Sequence, residues 1–592
     1  MQPVDFTTLM AAHAELQRDW LPARCEQVVQ RDRTTLCMAL RTLTGRGWLT
    51  ISWHPQAARI HMGAAPPRTP DTFTFSQQLK HQLNGLALVA IATMAPWERV
   101  LDLQFAPRPG DEIQWHLYVE IMGKYSNVML VNAQNQVVTV AHQVTAQQSS
   151  VRSVLTGDPY TPPPSILGPR PLLTEPLPDW RDRIVLVPGA LKKCLLSAYS
   201  GLSSAVVQEL IAAAGLAPNQ TTDTLTAADW QRLFNQWQTW LTCLETQQFQ
   251  PGWTTTGYSV LGLVPTQPAP SVQALLERYY HDELTRQSCD RLHNQLAQRL
   301  KTLLKKLRVK EADFQTRLSQ SDQAETYRQQ ADLLMAYSYQ WQPGMTTMTL
   351  ADFETGEPVA IAIDPDGSAI QTAQKLYKRH QKLKRSRHAI EPLLKAVRDE
   401  IAYLEQVDAA LSQVIGEAPE VALAAISDIR DELIQQRYLE DPTYRPAPRR
   451  QEDEVDLRKF HTPGGLAVWV GRNNRQNDLL ISRLATDYDL WFHTQEIPGS
   501  HVLLRLSAGQ VPSDEDLQFT ADIAAFFSRA RQADQVPVVY TQPRHVFKPK
   551  GARPGMVIYQ QETVLWGQPQ CIAAMLDSTA IAIAPQLATS GT

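Results

Sequence analysis

Two long helical segments separated by one short β segment constrain the fold of this 592-residue chain more than any other feature. The first helical pattern runs from about residue 272 to 340. Within it, leucines recur at spacings of four, four, three and four residues, the spacing of a coiled-coil seam. These leucines are Leu292, Leu296, Leu300, Leu303 and Leu307. A second helical pattern runs from about 369 to 414. The sequence therefore predicts an antiparallel coiled-coil arm over residues 271–436, with a small middle β insertion at about 341–368.

The rest of the sequence predicts three further domains, because a chain of this length exceeds what one hydrophobic core can hold. We expect a multidomain α+β protein. Its parts are a mixed helix and β N-terminal domain at 1–170, a helix-hairpin-helix domain at 171–270, the arm, and a C-terminal α/β RNA-binding module at 437–592. The acidic stretch 451–456 follows a proline-rich segment and marks a flexible boundary before the module.

Hydrophobic periodicity predicts individual elements of the N-terminal domain. In "IQWHLYVEIM" apolar residues alternate with His116, Tyr118 and Glu120, which predicts a half-buried strand with those three side chains on the opposite face. "SNVMLVNAQNQVVTVA" predicts a β-hairpin around its Asn-Ala-Gln-Asn turn. "FTFSQQLKHQLNGLALVAIA" predicts a helical stretch.

The segment "YSGLSSAVVQELIAAAGL" has the pattern of a helix-hairpin-helix. Its Gly-Leu-Ser-Ser turn precedes a helix start, where free backbone N–H groups can hold a phosphate. A plain helical turn with an N-cap serine gives the same short string. Both interpretations remain open at this level.

Positive charge is concentrated on the predicted arm. The second helix has seven cations between residues 375 and 387, and no acid lies between Asp366 and Glu391. These cations are Lys375, Lys378, Arg379, Lys382, Lys384, Arg385 and Arg387. The first helix adds six more between residues 299 and 310. The pattern favours a polyanionic partner over an ordinary solvated helical face.

Composition excludes several other classes of protein. Six scattered cysteines without a C-x-x-C pair argue against a disulfide framework or a zinc knuckle and favour a reducing cytoplasm. The first residues lack the pattern of a signal peptide. The most apolar run, "LALVAIATMA", is too short to cross a bilayer. We therefore expect a cytoplasmic protein without a membrane partner.

The stretch "DLWFHTQEIPGSHVLLR" crowds acids, histidines and a tryptophan around a Pro-Gly-Ser turn. These side chains suit a metal site, an acid–base catalyst or an RNA-binding surface, although the spacing matches no recurring metal motif and no nucleophile motif accompanies it. Two structural histidines at a turn are a further alternative. The RNA hypothesis assigns rRNA or phosphate contacts to residues of the arm and of the module. On the arm they are Lys375, Lys378, Arg379, Lys382 and Lys384. In the module they are Arg472, Asn473, Asn474, Asn477, Trp491, His493, Ser500, His501, Lys548 and Lys550.

Three strings of the module together resemble a known family. "VGRNNRQNDLL", "DLWFHTQEIPGSHVLLR" and "KPKGARPGMVIY" are similar to the C-terminal module of the NFACT proteins. The opening "VDFTTLMAAHAEL", "PWERVLDLQF", "EIMGKYSNVMLVN" and "AIDPDGSAIQTAQKLYKRHQKLKRS" extend the resemblance over nearly the whole chain.

The resemblance implies a specific function. Such proteins bind the large ribosomal subunit obstructed by peptidyl-tRNA and act with other quality-control factors. They recruit charged tRNA, alanyl-tRNA in bacteria, for template-free C-terminal tailing of the stalled chain. The family's acid–arginine pair falls on Glu98 and Arg99, and the implied tRNA-binding set is Asp5, Glu98, Arg99 and Lys124. The acid of the pair is usually aspartate, so Glu98 is one methylene longer.

The resemblance implies no catalytic residue, metal or cofactor, since the ribosome performs peptidyl transfer. Two other functions compete with it. A helix-plus-β domain followed by a helical hairpin resembles the plan of a DNA glycosylase with an N-terminal proline nucleophile, but here Gln2 precedes Pro3. A surface fibronectin-binding adhesin follows from the family's older label, and the sequence offers neither a signal peptide nor a membrane span.

Overall fold

The computed structural model describes residues 1–68, 70–149, 151–164, 167–414, 416–442, 444 and 457–575. They fall into two compact units, one spanning Met1–Leu284 and the other beginning at Thr285. The expected flexible boundary at 451–456 lies outside the described residues. The division into four domains stays a prediction.

An antiparallel sheet is the centre of the first unit. Its strands within the described residues are β1 (Ala23–Asp32), β2 (Thr35–Arg41), β3 (Arg46–Ser52), β4 (Arg59–Gly63), β5 (Ala87–Thr93), β6 (Val100–Ala106), β7 (Trp115–Glu120), β8 (Asn127–Asn132) and β9 (Val137–Val140). In space they follow the order β4-β3-β2-β1-β5-β6-β7-β8-β9. Consecutive strands therefore lie side by side except β4 and β5, because β4 is at the edge of the sheet and β5 pairs with β1.

Helices pack around this sheet and continue the first unit. They are α1 (Phe6–Trp20), α2 (Thr74–Leu83), α3 (Leu177–Val185), α4 (Leu191–Ala198), α5 (Ser204–Ala213) and α6 (Ala227–Thr246). A small sheet of β10 (Gly252–Trp253), β11 (Tyr258–Ser259) and β12 (Gln267–Pro268) follows. α1 buries Leu9, Ala12 and Leu16 in the unit's core.

Two sequence predictions in this unit need correction. The stretch predicted as helical ends as α2 at Leu83, and its apolar second half is β5, because pairing with β1 and β6 outweighs local helix propensity. β7 is buried on both faces, since Tyr118 and Glu120 are only 8% and 2% exposed. Tyr160 stacks on Tyr118 at 3.9 Å between ring centroids and so covers the face predicted to be open. The β8–β9 hairpin is confirmed.

Four helices and a hairpin build the arm region within the described residues. α7 (Val272–Ser321) begins in the first unit, and α8 (Ala324–Ala336), β13 (Thr347–Ala351), β14 (Pro358–Ala362), α9 (Ala369–Gln413) and α10 (Pro419–Gln435) follow it. Ion pairs Arg308–Glu405 and Asp322–Arg387 show that α7 and α9 run antiparallel, because partners rise in number on one helix as they fall on the other.

The predicted arm is thus confirmed in its main elements, with two differences. The first helix breaks at residues 322–323 instead of continuing to about 340. Leu296 and Leu300 of the predicted seam are fully buried against α9, whereas Leu292, Leu303 and Leu307 are only partly buried. α10 is a separate helix that packs beside α9, and the leucine pattern gave no sign of it.

The C-terminal module is a six-stranded antiparallel sheet with one long helix on it. The strands are β15 (Arg458–His461), β16 (Ala467–Val470), β17 (Leu490–Thr494), β18 (Val502–Leu504), β19 (Val536–Thr541) and β22 (Thr563–Gly567), in the order β15-β16-β18-β17-β19-β22. α11 (Asn474–Leu479), α12 (Asp514–Phe526), β20 (Val546–Phe547) and β21 (Ile558–Tyr559) complete it. Ser513 caps α12 by accepting from the Asp516 N–H, as the sequence predicts.

Candidate nucleic-acid interfaces

The loop between β5 and β6 carries the predicted acid–arginine pair. Trp97 in this loop has a φ of 69°, a conformation that a bulky residue rarely adopts. Its ring stacks on Phe6 at 4.7 Å between centroids and meets Trp240 edge-on at 5.6 Å. A Cβ on Gly201 would lie 3.1 Å from the same ring, so the turn before α5 requires glycine there. These contacts fix the backbone of the two residues that follow Trp97.

Asp5 joins the starts of two helices. Its Oδ1 accepts from the Thr8 N–H at 2.8 Å and so caps α1. Its Oδ2 accepts from the Ser203 hydroxyl at 2.5 Å, and Ser203 in turn accepts from the Val206 N–H and caps α5. A carboxylate of the protein therefore lies at the helix start where the sequence suggested a phosphate site. Helices α4 and α5 flank the turn. The helix-hairpin-helix assignment and its phosphate-binding role stay predictions.

Electrostatic interactions link three of the four predicted tRNA-binding residues. Burial lowers the pKa of Arg99, and the nearby charges of Asp5 and Glu98 oppose that shift. Glu98 itself is buried. Lys124 lies in an exposed turn after β7, where its ammonium contacts the ring of exposed Tyr125 at 4.9 Å. The structure therefore brings Asp5, Glu98 and Arg99 together. Lys124 follows Ile121, whose N–H donates to the Arg99 carbonyl at 2.9 Å.

The predicted arm cations lie on α9 and are exposed. Lys375 pairs with Asp364 at 2.6 Å, and Arg379 lies over the Tyr327 ring at 4.5 Å. Lys378, Lys382 and Lys384 have no ion-pair partner in the part of the chain that the structure describes. Three uncompensated ammonium groups therefore follow one another along a solvent-exposed segment.

Six of the predicted RNA contacts lie inside the C-terminal module. They are Asn473, Asn474, Asn477, Trp491, Ser500 and His501, each at most 4% exposed. The Asn474 amide donates to Glu432 on α10 at 3.0 Å, and the Ser500 hydroxyl donates to Gln413 on α9 at 3.0 Å. In this conformation the six side chains face protein, and Asn474 and Ser500 join the module to the arm helices. A direct RNA contact by them stays a prediction that requires this packing to open.

Arg472 also connects the module to the arm region, through Glu417 between α9 and α10. One of its guanidinium nitrogens lies 2.6 Å from Glu417 Oε1, and Arg458 donates to the same oxygen at 2.6 Å. Two arginines therefore converge on one carboxylate, which lies between α9 and α10.

The Asp489–Arg505 stretch is a structural turn. Asp489 accepts from the Thr486 and Leu506 N–H groups at 2.7 and 2.9 Å, so its carboxylate organises backbone. Burial lowers the pKa of His493 to about 4 and that of His501 well below its ordinary value, so both are neutral at pH 7. Across the described residues, no group of three histidine, cysteine or acidic side chains is placed to hold a metal ion. The structural interpretation of the histidines is favoured.

The remaining predicted contacts lie on exposed loop 548–557. Lys548 pairs with Asp478, and Lys550 is exposed without an ion-pair partner within the described ranges. Two apolar residues lie next to this loop, Phe547 and Ile558, and both are about half exposed. The sequence did not predict them as part of a site. The aromatic Phe547 beside Lys548 and Lys550 could have indicated a binding surface. The two strands have only two residues each, so the sequence pattern does not show which side chains face solvent.

Two protein-family models match the chain. Residues 5–452 match the family model described as NFACT N-terminal and middle domains. The chain belongs to the NFACT family. Residues 457–560 match a second model, the NFACT protein RNA binding domain, which covers the exposed lysine loop.

NFACT relatives align along nearly the whole chain. A protein named Rqc2 homolog RqcH from Streptococcus suis is 30% identical over 564 residues, covering 93% of this chain and 95% of the relative. Its namesake from Bacillus subtilis is 28% identical and covers 94% of this chain and 96% of the relative. The solved C-terminal part of the fibronectin/fibrinogen-binding protein from Streptococcus suis is 30% identical, covers 48% of this chain and 95% of its own, and superposes with a TM-score of 0.37.

None of the helices in the described ranges is long and apolar enough to cross a bilayer.

Proposed function

We propose that this NFACT protein is a ribosome-associated quality-control factor that works by binding RNA. It binds large ribosomal subunits obstructed by peptidyl-tRNA in the cytoplasm. It recruits charged tRNA, alanyl-tRNA in bacteria, for template-free C-terminal tailing of the stalled chain. The observation that carries the proposal is the group of exposed lysines on α9 without ion-pair partners among the described residues. Residues 457–560 of the same chain match the model of an RNA-binding domain.

The charge of α9 supports a nucleic-acid partner for the arm. Lys378, Lys382 and Lys384 lie within seven residues and contact no carboxylate of the described chain. Exposed lysines of this kind neutralise phosphates and release counterions, which gives affinity without sequence recognition. Ribosomal RNA is a partner of that chemistry, and the relatives' shared name points to the same assignment.

The loop of Glu98 and Arg99 supports the recruitment of tRNA. Burial lowers the pKa of Arg99, and the charges of Asp5 and Glu98 oppose that shift. An arginine side chain stays charged in proteins. A planar guanidinium donates two parallel hydrogen bonds to a phosphate or a base edge. Trp97 holds the backbone in place beforehand, so binding loses little conformational entropy.

The proposed activity needs no reacting group from this chain. The aminoacyl ester of a charged tRNA is already activated, and the peptidyl-transferase centre of the ribosome performs the transfer. The protein contributes position, which by itself can account for large rate effects when two reactants are held in a productive geometry.

Gradient sedimentation tests the proposal. Purified protein is mixed with large subunits that carry peptidyl-tRNA, with empty large subunits, and with small subunits. We expect co-migration with the obstructed large subunits and recovery of charged tRNA in the same fractions. Migration at the top of the gradient in all three mixtures at low salt would contradict the proposed function.

A further inference from the structure

An apolar pair lies exposed on the two-stranded ribbon of β20 and β21. Phe547 and Ile558 are cross-strand partners and are 49% and 56% exposed. Val546 and Tyr559 form the next pair and belong to the opposite, buried face. There Tyr559 lies 5.5 Å from the Trp491 ring, measured between centroids. The ribbon therefore packs one face onto the module and presents Phe547 and Ile558 to solvent.

The surroundings of this pair are positively charged. Residues 544–560 contain four basic side chains and no acid. Arg544 and Lys550 are exposed and, among the described residues, have no carboxylate partner. An apolar surface bordered by unpaired cations suits a nucleotide, whose base stacks on the apolar side chain while its phosphates meet the cations.

The ribbon is held rigidly. The Gln560 N–H donates to the His545 carbonyl at 3.1 Å, and the Thr541 hydroxyl donates to the Gln560 carbonyl at 3.0 Å. The Gly555 N–H donates to Asp478 on α11 at 3.1 Å. A surface fixed in this way binds without first being ordered.

Two exposed aromatic residues near the arm's β hairpin have the opposite surroundings. Tyr339 and Phe353, near the arm's β hairpin, are more exposed than Phe547. They lie within residues 329–374, which contain six acids and neither lysine nor arginine. Phosphates would be repelled there. Charge thus separates the ribbon from the exposed aromatic residues near the arm's β hairpin.

We propose that Phe547 and Ile558 form a stacking platform for one unpaired base of the RNA that the module binds, with Arg544 and Lys550 contacting the adjacent phosphates. The inference rests on the proposed RNA-binding function and deepens it, because it names an unpaired nucleotide as the ligand. A base in a regular duplex is stacked on both sides and cannot use the platform.

Binding of the full-length protein to a short single-stranded RNA, and to the same RNA in a duplex, tests this assignment. Phe547→Ala is expected to weaken single-strand binding between about fivefold and a hundredfold, the usual effect of losing one base–aromatic stack. Phe547→Tyr should retain the affinity, and duplex binding should change little. Lys550→Gln should instead weaken both and reduce the salt dependence of binding. Phe353→Ala is the matched control and should have no effect.

The outcomes separate this inference from the proposed function. Wild-type single-strand affinity in Phe547→Ala, with subunit co-sedimentation intact, would overturn the platform and leave the proposed function standing. Wild-type protein that binds neither RNA nor subunits would overturn both. If Phe547→Ala lost a contact with a protein of the ribosomal subunit while its RNA affinity stayed unchanged, the ribbon would be a protein-docking surface. That result would also overturn the platform. Equal unfolding midpoints in urea confirm that the variants are folded.

Discussion

At the residue scale, the deciding feature is a guanidinium influenced by the charges of two nearby carboxylates. Burial disfavours the charged form of Arg99, and the charges of Asp5 and Glu98 favour it. Asp5 already bonds to Thr8 and Ser203, so its carboxylate is fixed and Arg99 is the more adaptable member of the group. In the proposed function, Arg99 is the side chain that meets tRNA.

Arg99→Ala is expected to lower tRNA recovery on obstructed subunits at least tenfold, since it removes the charged donors while leaving the Trp97 contacts. Arg99→Lys should recover only part of this loss, because an ammonium lacks the planar fork of a guanidinium. Northern blotting of the gradient fractions measures the tRNA.

Arg108→Ala, in the exposed turn after β6, is the control for a lost surface charge. Subunit co-sedimentation should persist in all three variants. Unchanged tRNA recovery in Arg99→Ala would remove Arg99 from the proposed recruitment site. Glu98→Asp should remain active, since the shorter acid keeps a carboxylate near Arg99.

At the scale of elements, a buried polar joint ties the C-terminal module to the arm. Glu432 on α10 accepts from the Tyr403 hydroxyl at 2.7 Å and from the Asn474 amide at 3.0 Å, and it is 2% exposed. Burial raises its pKa, and these two donors oppose the shift. Polar groups so deeply buried depend on their partners, because water cannot replace a lost one.

Asn474→Ala is expected to lower the free energy of unfolding by about 1–3 kcal/mol, since Glu432 loses one of its two donors. Urea denaturation followed by circular dichroism measures the change. Asn294→Ala on the exposed face of α7 is the matched control and should change stability by less than about 0.5 kcal/mol. An Asn474→Ala midpoint equal to that of the control would show that the joint contributes nothing to stability.

The sequence predicted elements whose pattern is local. The leucine spacing gave the arm, and the Asn-Ala-Gln-Asn turn gave the β8–β9 hairpin. It failed where distant segments decide the outcome. β5 became a strand because β1 and β6 pair with it, and the second face of β7 is buried because Tyr160 returns to cover it.

The candidate site shows the same limit. The module's asparagines were assigned to RNA because their donors suit base edges, but Asn474 meets Glu432, which lies 42 positions earlier. Nothing in a single sequence links those two residues. The exposed lysines of α9 were predictable, because a run of cations without acids depends on no distant partner.

At the scale of the whole molecule, charge is sorted by region although the net charge is only −4. Lys378, Lys382 and Lys384 are unpaired on α9, residues 544–560 have no acid, and residues 329–374 have no lysine or arginine. A small net charge therefore conceals surfaces of opposite sign. We propose that the basic surfaces of α9 and of residues 544–560 bind folded RNA on the ribosome.

The salt dependence of binding to obstructed large subunits tests this claim most directly. Each phosphate contact contributes roughly 0.7 to 0.9 to the slope of log affinity against log salt. Lys378→Gln, Lys382→Gln and Lys384→Gln together should therefore lower the slope by about 2 to 3. The same change at Lys80, Lys193 and Arg108, exposed cations outside α9, should leave the slope unaltered. Equal slopes for the wild type and the α9 variant would contradict the account.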